Sequence, residues 1–205
     1  MRLRSRLCSP LALLVVAGMS TAACDLASDV LDVPIDLETG FAVRVDLGQA
    51  TGAAAGQQAP ADATYPLGLG AAPVDLLSVS SQLAASRDKV RALELTKVRA
   101  VPSGNTLTAP TPPIDLYVGP AGATSPEQAI KIATIPSIPA GSSQAAEGVI
   151  DAAGQAAAQD YLLSFQFTFI PVAALEVKAG EAVPGGAVNL QVTTGIRATF
   201  NPLGR

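Results

Sequence analysis

The amino-acid sequence predicts an all-β fold, an antiparallel β-sandwich of the Ig-like or jelly-roll-like kind with one or two short helices. Three observations carry that prediction. Apolar residues recur with a period of two in seven or eight separate runs, Pro and Gly punctuate the intervals between them, and helical periodicity is scarce. No repeat at a fixed period is present, which argues against solenoids and propellers.

The start of the chain reads as an address and not as part of the fold. Residues 1 to 7, "MRLRSRL", carry Arg2, Arg4 and Arg6 without an acid, and "LALLVVAGM" follows from Leu11 to Met19. That apolar run is far shorter than the roughly 20 residues a membrane-spanning helix needs. It fits the h-region of a secretory signal, with the small residues "STAA" as its cleavage region. Ala22, Ala23 and Cys24 complete a pattern that resembles the lipobox of bacterial lipoprotein signal peptides, with Thr21 where that family usually has Leu. The resemblance implies that Cys24 receives a diacylglyceryl group and becomes the first residue of the mature chain. It covers residues 1 to 24 only; for the mature domain, no family resemblance is found. Thr21 and Ala23 also satisfy a general signal-peptidase site, which would make this a free secreted protein, but that reading leaves the placing of Cys24 an accident. Asp25 resembles the inner-membrane retention signal of enteric lipoproteins. That sorting rule differs between bacterial groups, so inner and outer membrane stay open.

The expected organisation is a signal peptide at 1–23, a lipidated tether at 24–32, and a single β-sandwich-like domain at 33–205. Removing residues 1–23 leaves 182 of the 205 residues, enough for one sizeable core. Cys8 leaves with the signal and Cys24 is used by lipid, so no disulfide is available to the mature domain. All 17 acids remain while the bases fall from 13 to 10, a net charge of −7 that argues against nucleic acid as a partner.

Within the domain, Val33, Ile35, Leu37, Phe41, Val43, Val45 and Leu47 share one parity, predicting one long strand kinked at Gly40 or two strands joined by "ETG". Residues 49 to 73 are dominated by Ala, Gly and Pro with Asp62 the only charge, and are expected to be a flexible connection. Leu76, Leu77, Leu83, Ala84 and Arg87 then suit a short amphipathic helix. Val90 to Val101 reads as a strand ending at the turn "PSGNT", and Ile114, Leu116 and Val118 mark another. Ser125, Pro126 and Gln128 predict one helical turn leading into a strand at Ile130 to Ile135. Leu163, Phe165, Phe167 and Phe169 are expected to form one apolar face. The alternation from Val188 to Phe200 is the cleanest strand in the chain.

Function is bounded mainly by exclusion. With no histidine in 205 residues, Ser-His-Asp and Cys-His catalysis are out of reach, no conventional zinc site can be assembled, and neither metal nor cofactor is expected. "SRDK", Ser86 to Lys89, matches S-x-x-K but lacks the S-D-N and K-T-G companions of penicillin-recognising enzymes, and reads as a solvated helix end. "LETGF" is one substitution from the D-T-G loop of aspartic proteases; Glu38 replaces the Asp and no second copy exists. The acids from Asp25 to Asp46 match no recognised calcium loop and read as solvated charge.

One positive feature stands out. Arg87, Lys89, Arg91, Lys97 and Arg99 hold half of the ten mature bases, and in an extended chain the first three share a face. This candidate stripe would suit an envelope protein or an anionic glycan. The alternative is a strand edge blunted by charge against aggregation, which natural edge strands commonly show and which is preferred. The expectation is therefore a non-catalytic, lipid-anchored protein of the cell envelope, held outside the cytoplasm, that binds or supports another envelope component. A small-ligand or glycan-binding module is the alternative, weakened by the absence of Trp and the presence of only Tyr65, Tyr117 and Tyr161 as further stacking faces. A His-independent hydrolase is the third.

Overall fold

A computed structural model describes residues 32–201. The signal at 1–23, Cys24 and all of the tether but Asp32 lie outside the described residues. In chain order the elements are β1 (Val33–Asp46), α1 (Leu47–Thr51), β2 (Ala63–Leu67), β3 (Ala72–Asp75), α2 (Leu76–Val79), α3 (Ser81–Ala85), β4 (Val90–Ser103) and β5 (Ile114–Pro120). They continue with β6 (Ile130–Ile135), β7 (Ala146–Glu147), β8 (Val149–Ile150), α4 (Ala152–Ala157), α5 (Gln159–Leu163), β9 (Gln166–Val177) and β10 (Ala187–Phe200).

Two antiparallel sheets pack face to face. One has the order β1-β10-β4-β7; the other runs β2-β9-β5-β6-β8, with β3 also paired to β9. The expected β-sandwich is thus observed, and period-two alternation explains it. Val43, Val45, Val192 and Ile196 from the first sheet and Leu116, Val118, Phe167 and Phe169 from the second are buried in one common core. Phe41 of β1 stacks on Phe169 of β9 at 5.4 Å between centroids, and Phe167 meets Phe169 edge-on at 5.3 Å. These rings tie the two sheets together near the β1 edge.

The first strand resolves in favour of a single element. β1 pairs with β10 in unbroken register from Val33↔Phe200 to Asp46↔Ala187, passing through Gly40↔Thr193. Its last residue starts the next element: the Asp46 carboxylate accepts from Gln49 N at 2.8 Å and caps α1.

Residues 49–73 correct the expectation of a flexible connection. They complete α1, form a 3-10 turn at Gly52–Ala54, bridge Gln58 to Ala182, and supply β2 and the start of β3 on the edge of the second sheet. Backbone bonds hold even the irregular part, with Gly56 N on Val183 O at 2.9 Å and Ala59 N on Glu181 O at 2.8 Å. Ala and Gly provide no periodic signal, so the pairing is written in partner strands distant in sequence.

The helix expected after residue 75 is two single turns. Asp75 caps α2 and Ser80 caps α3 through Leu83 N, and Ser80, extended, separates them, while Leu76 and Leu83 are buried as their spacing suggests. Ser125 and Pro126 open the one-turn 3-10 helix Pro126–Gln128 as expected, followed by β6. The described residues hold five short α-helices where one or two short helices were expected; α4 and α5 lie in an Ala-rich stretch without a clear apolar face and were not predicted.

The aromatic run after Leu163 is also corrected. Leu163 ends α5 and Phe165 adopts a left-handed backbone conformation, φ 64°, so the strand starts only at Gln166. Phe167 and Phe169 face the core as expected; Phe165 is buried by a different route.

Candidate functional site

The basic stretch does not form a common face. Arg87 and Lys89 belong to a single 3-10 turn, Arg87–Lys89, and do not lie in a strand. Arg91 falls at an irregularity of the β10–β4 register, between Thr199↔Ala92 and Phe200↔Val90. A second irregularity, between Gly195↔Lys97 and Ile196↔Leu95, leaves Thr96 as an extra residue. Each extra residue reverses which parity points inward. Hence Leu93 and Leu95 are buried, yet two residues further on Lys97 and Arg99 lie on the outer face and Val98 and Ala100 are buried. Parity in the sequence cannot show a bulge, so the predicted stripe is broken by the backbone.

The bases are distributed among separate partners. Arg91 lies 3.9 Å from Asp32, Lys97 4.0 Å from Glu38, and Arg99 3.4 Å from Glu147. Arg87 lies over the Phe165 ring at 5.6 Å from its centroid. Lys89 borders a cleft of about 190 Å³ with Val33, Ile35, Gln82, Ser86 and Phe200. Register explains the Lys97–Glu38 pair: Glu38 and Lys97 both align with Gly195, which sets no side chain of its own between them, and a Cβ there would stand only 2.9 Å from Thr96 Oγ1. Next along β10, Arg197 aligns with Asp36 on one side and Glu94 on the other, and donates to Asp36 at 2.8 Å. The hydrogen bond from Arg197 holds the Asp36 carboxyl below the ordinary 3.8. The outer face of the first sheet is therefore a lattice of opposite charges. Solvent-exposed pairs of this kind add little to stability, and they leave no single-signed patch to recognise a polyanion.

The edge of β4 shows a feature that sequence reading missed. Between Val90 and Lys97 no strand of the described residues pairs with its outer side, and two glutamine amides take that place. Gln155 Oε1 accepts from Leu95 N at 2.9 Å. With its amide turned so that O and N each meet a complementary group, Gln159 donates to Leu93 O at 3.2 Å and accepts from Leu93 N at 3.0 Å, as a neighbouring strand would. Further along, Gly148 N donates to Val98 O at 2.8 Å and β7 pairs with Arg99 and Ala100. The visible signal was "QAAAQ", two amides four residues apart in an otherwise featureless stretch.

Two further clefts lie on the surface. One, of about 300 Å³, is lined by Arg44, Asp46, Gln49, Ala50 and residues 66–69. The other, about 600 Å³ and open, is bordered by Arg87, Asp88, Leu163 and Phe165. In the first, Arg44 is committed to Asp46 at 2.9 Å, and Asp46 titrates below its ordinary value of 3.8 because of the Gln49 N–H first and Arg44 second. Ser86 and Lys89 of the S-x-x-K match share the 190 Å³ cleft, where the bond joining them is Lys89 N to Ser86 O at 2.9 Å, a backbone turn. Glu38 of the "ETG" match is exposed on the outer face of β1. No group of three or more metal-ligating side chains is found among the described residues.

No family model and no curated protein sequence matches this chain. Among solved structures, a chain from Desmodium yellow mottle tymovirus aligns over 98% of this chain and 97% of its own length, at 15% identity and a TM-score of 0.24. A likeness at that score says nothing about function.

Proposed function

We propose that this chain is a non-catalytic lipoprotein of the cell envelope, a β-sandwich held outside the cytoplasm by lipid on Cys24 and serving to bind or brace another envelope component. The observation that carries it is Cys24 itself, set after Thr21-Ala22-Ala23 and only eight residues before Asp32. At about 3.3–3.6 Å per residue, that length reaches no more than about 30 Å. In this reading Val33, which aligns with Phe200 at the start of β1, stays within that reach of the bilayer. Two acyl chains suffice for stable anchoring.

The reading is supported by what the exposed side chains are occupied with. Lys97, Arg99, Arg197 and Arg44 pair with Glu38, Glu147, Asp36 and Asp46, so these charges neutralise one another on the surface and are not gathered into a site. Recognition then falls to main-chain edges and shape. Cross-linking in intact cells, comparing wild type with Cys24→Ala, tests this. A specific envelope protein should be trapped by the wild type and lost, with release from the membrane fraction, in the variant. A variant that stays in the membrane fraction with the same cross-links would contradict the anchor.

A further inference from the structure

The strand edges of this sandwich are not treated alike. On one side both are closed: β4 by Gln155, Gln159 and β7, and β6 by β8, by Asp151 N on Ile132 O at 2.8 Å, and by α4. On the other side β2 and β3 carry Pro66 and Pro73, which have no N–H to offer a new strand. β1 is the exception. It runs 14 residues, its one proline is second in the strand, and no strand pairs with its outer edge among the described residues. A long edge whose main chain is left open, charged though its outer face is, beside three that are closed or carry proline, is the mark of an edge that is used.

We propose that β1 pairs antiparallel with β1 of a second copy of this chain, about a two-fold axis through Gly40, joining the two four-stranded sheets into one. Residues facing each other across such an axis must have the same parity, so the axis passes through a residue. Through Gly40 it places Pro34 opposite Asp46 and overlaps nearly the whole strand. Asp36 then faces the second copy's Arg44 twice, Glu38 faces Ala42, and no like charges are opposed. An axis through Phe41 would set Asp36 against Asp46, and one through Thr39 would set Asp32 against Asp46. On the inner face the Gly40 register aligns Leu37 with Val43, continuing the apolar layer. Clefts of about 190 and 300 Å³ lie at the two ends of this edge, and the symmetry brings each against the other kind. Main-chain bonds and apolar contact supply the association, while Asp36 and Arg44, already paired with Arg197 and Asp46 in their own copy, extend these pairs into rows of alternating charge across the axis that select the register. The proposal does not depend on lipid at Cys24.

The test uses the full chain, detergent-solubilised where it is found in membranes. Two differently tagged copies, Glu38→Cys and Ala42→Cys, are co-expressed, purified together and oxidised, with wild type carrying only its own cysteines as control. Facing residues have Cα atoms about 4.5–5.5 Å apart, within disulfide range, whereas two copies of Glu38→Cys alone place theirs about 13 Å apart. The expected results are a 38–42 linked peptide by mass spectrometry, formed only in the mixed pair, and sedimentation of wild type as a dimer. Arg44→Glu, which opposes Asp36 twice, should weaken the dimer about tenfold without changing the circular dichroism spectrum. A monomeric wild type, or a dimer in which folded variants give no 38–42 link, overturns the proposal. Cross-links showing the edge taken by another protein's strand, or by this chain's own N-terminal residues, overturn it equally.

Discussion

Gly154 shows how little room some positions leave. A Cβ built there would stand 1.8 Å from Lys131 O, so the first turn of α4 lies directly on the backbone of β6. Gly154→Ala is predicted to destabilise the fold by about 1–3 kcal/mol, as overpacking does, measurable by urea unfolding. Phe165 presents the opposite balance. Its positive φ of 64° costs roughly 1–3 kcal/mol, but its ring is buried with Arg87 over it, and its carbonyl accepts from Leu76 N at 2.9 Å. Removing a buried phenylalanine ring costs about 3–5 kcal/mol. Phe165→Gly should therefore be a net loss of about 2 kcal/mol despite relieving the backbone, and a stabilised variant would show that the ring contributes little. Neither feature is visible in sequence, since both depend on what a distant strand brings within contact distance.

At the scale of elements, the glutamines of α4 and α5 are the clearest case of side chains substituting for a strand. Gln159→Ala leaves Leu93 without partners for its N–H and C=O, and a loss of about 1–3 kcal/mol is expected in chemical denaturation. Gln155→Ala removes one acceptor only and should cost less. The double variant opens the β4 edge, so concentration-dependent association is expected by sedimentation; a soluble, unchanged monomer-to-dimer balance would argue that water serves the edge equally well. Strands with strict alternation were legible from sequence: β10, β5 and the whole of β1 lie where Val188–Phe200, Ile114–Val118 and Val33–Val45 placed them. The basic stripe was not, because two bulges in β4 invert the alternation on which its shared face depended. Segment 49–73 was missed for a related reason: β2 and β3 are held by β9, about a hundred residues away, and not by a pattern of their own.

For the molecule as a whole, pH dependence follows from the absence of histidine and from the shifted carboxylates Asp36 and Asp46 and the shifted Lys131. Asp36 and Asp46 titrate below 3.8 in the folded state, through Arg197 in one case and the Gln49 N–H with Arg44 in the other. Their contribution is present above the unfolded value near 3.8 and is lost as pH falls through the lower native values. Lys131, bonded to Asp115 at 2.7 Å, titrates above 10.5, so its contribution is present below 10.5 and is lost as pH rises through the native value. Between about pH 5 and 8 no histidine titrates, and thermal melts in that window should give a flat profile; a step there would require an ionisation this account lacks.

Lipid on Cys24 is what would tether the sandwich, and that residue can be examined on its own. Mass spectrometry of the N-terminal peptide, from protein purified out of its own membranes, should show a chain beginning at Cys24 with the added mass of a diacylglyceryl group. A chain that begins at Cys24 unmodified, or that retains residues 1–23, would contradict the account and leave a β-sandwich free of the membrane.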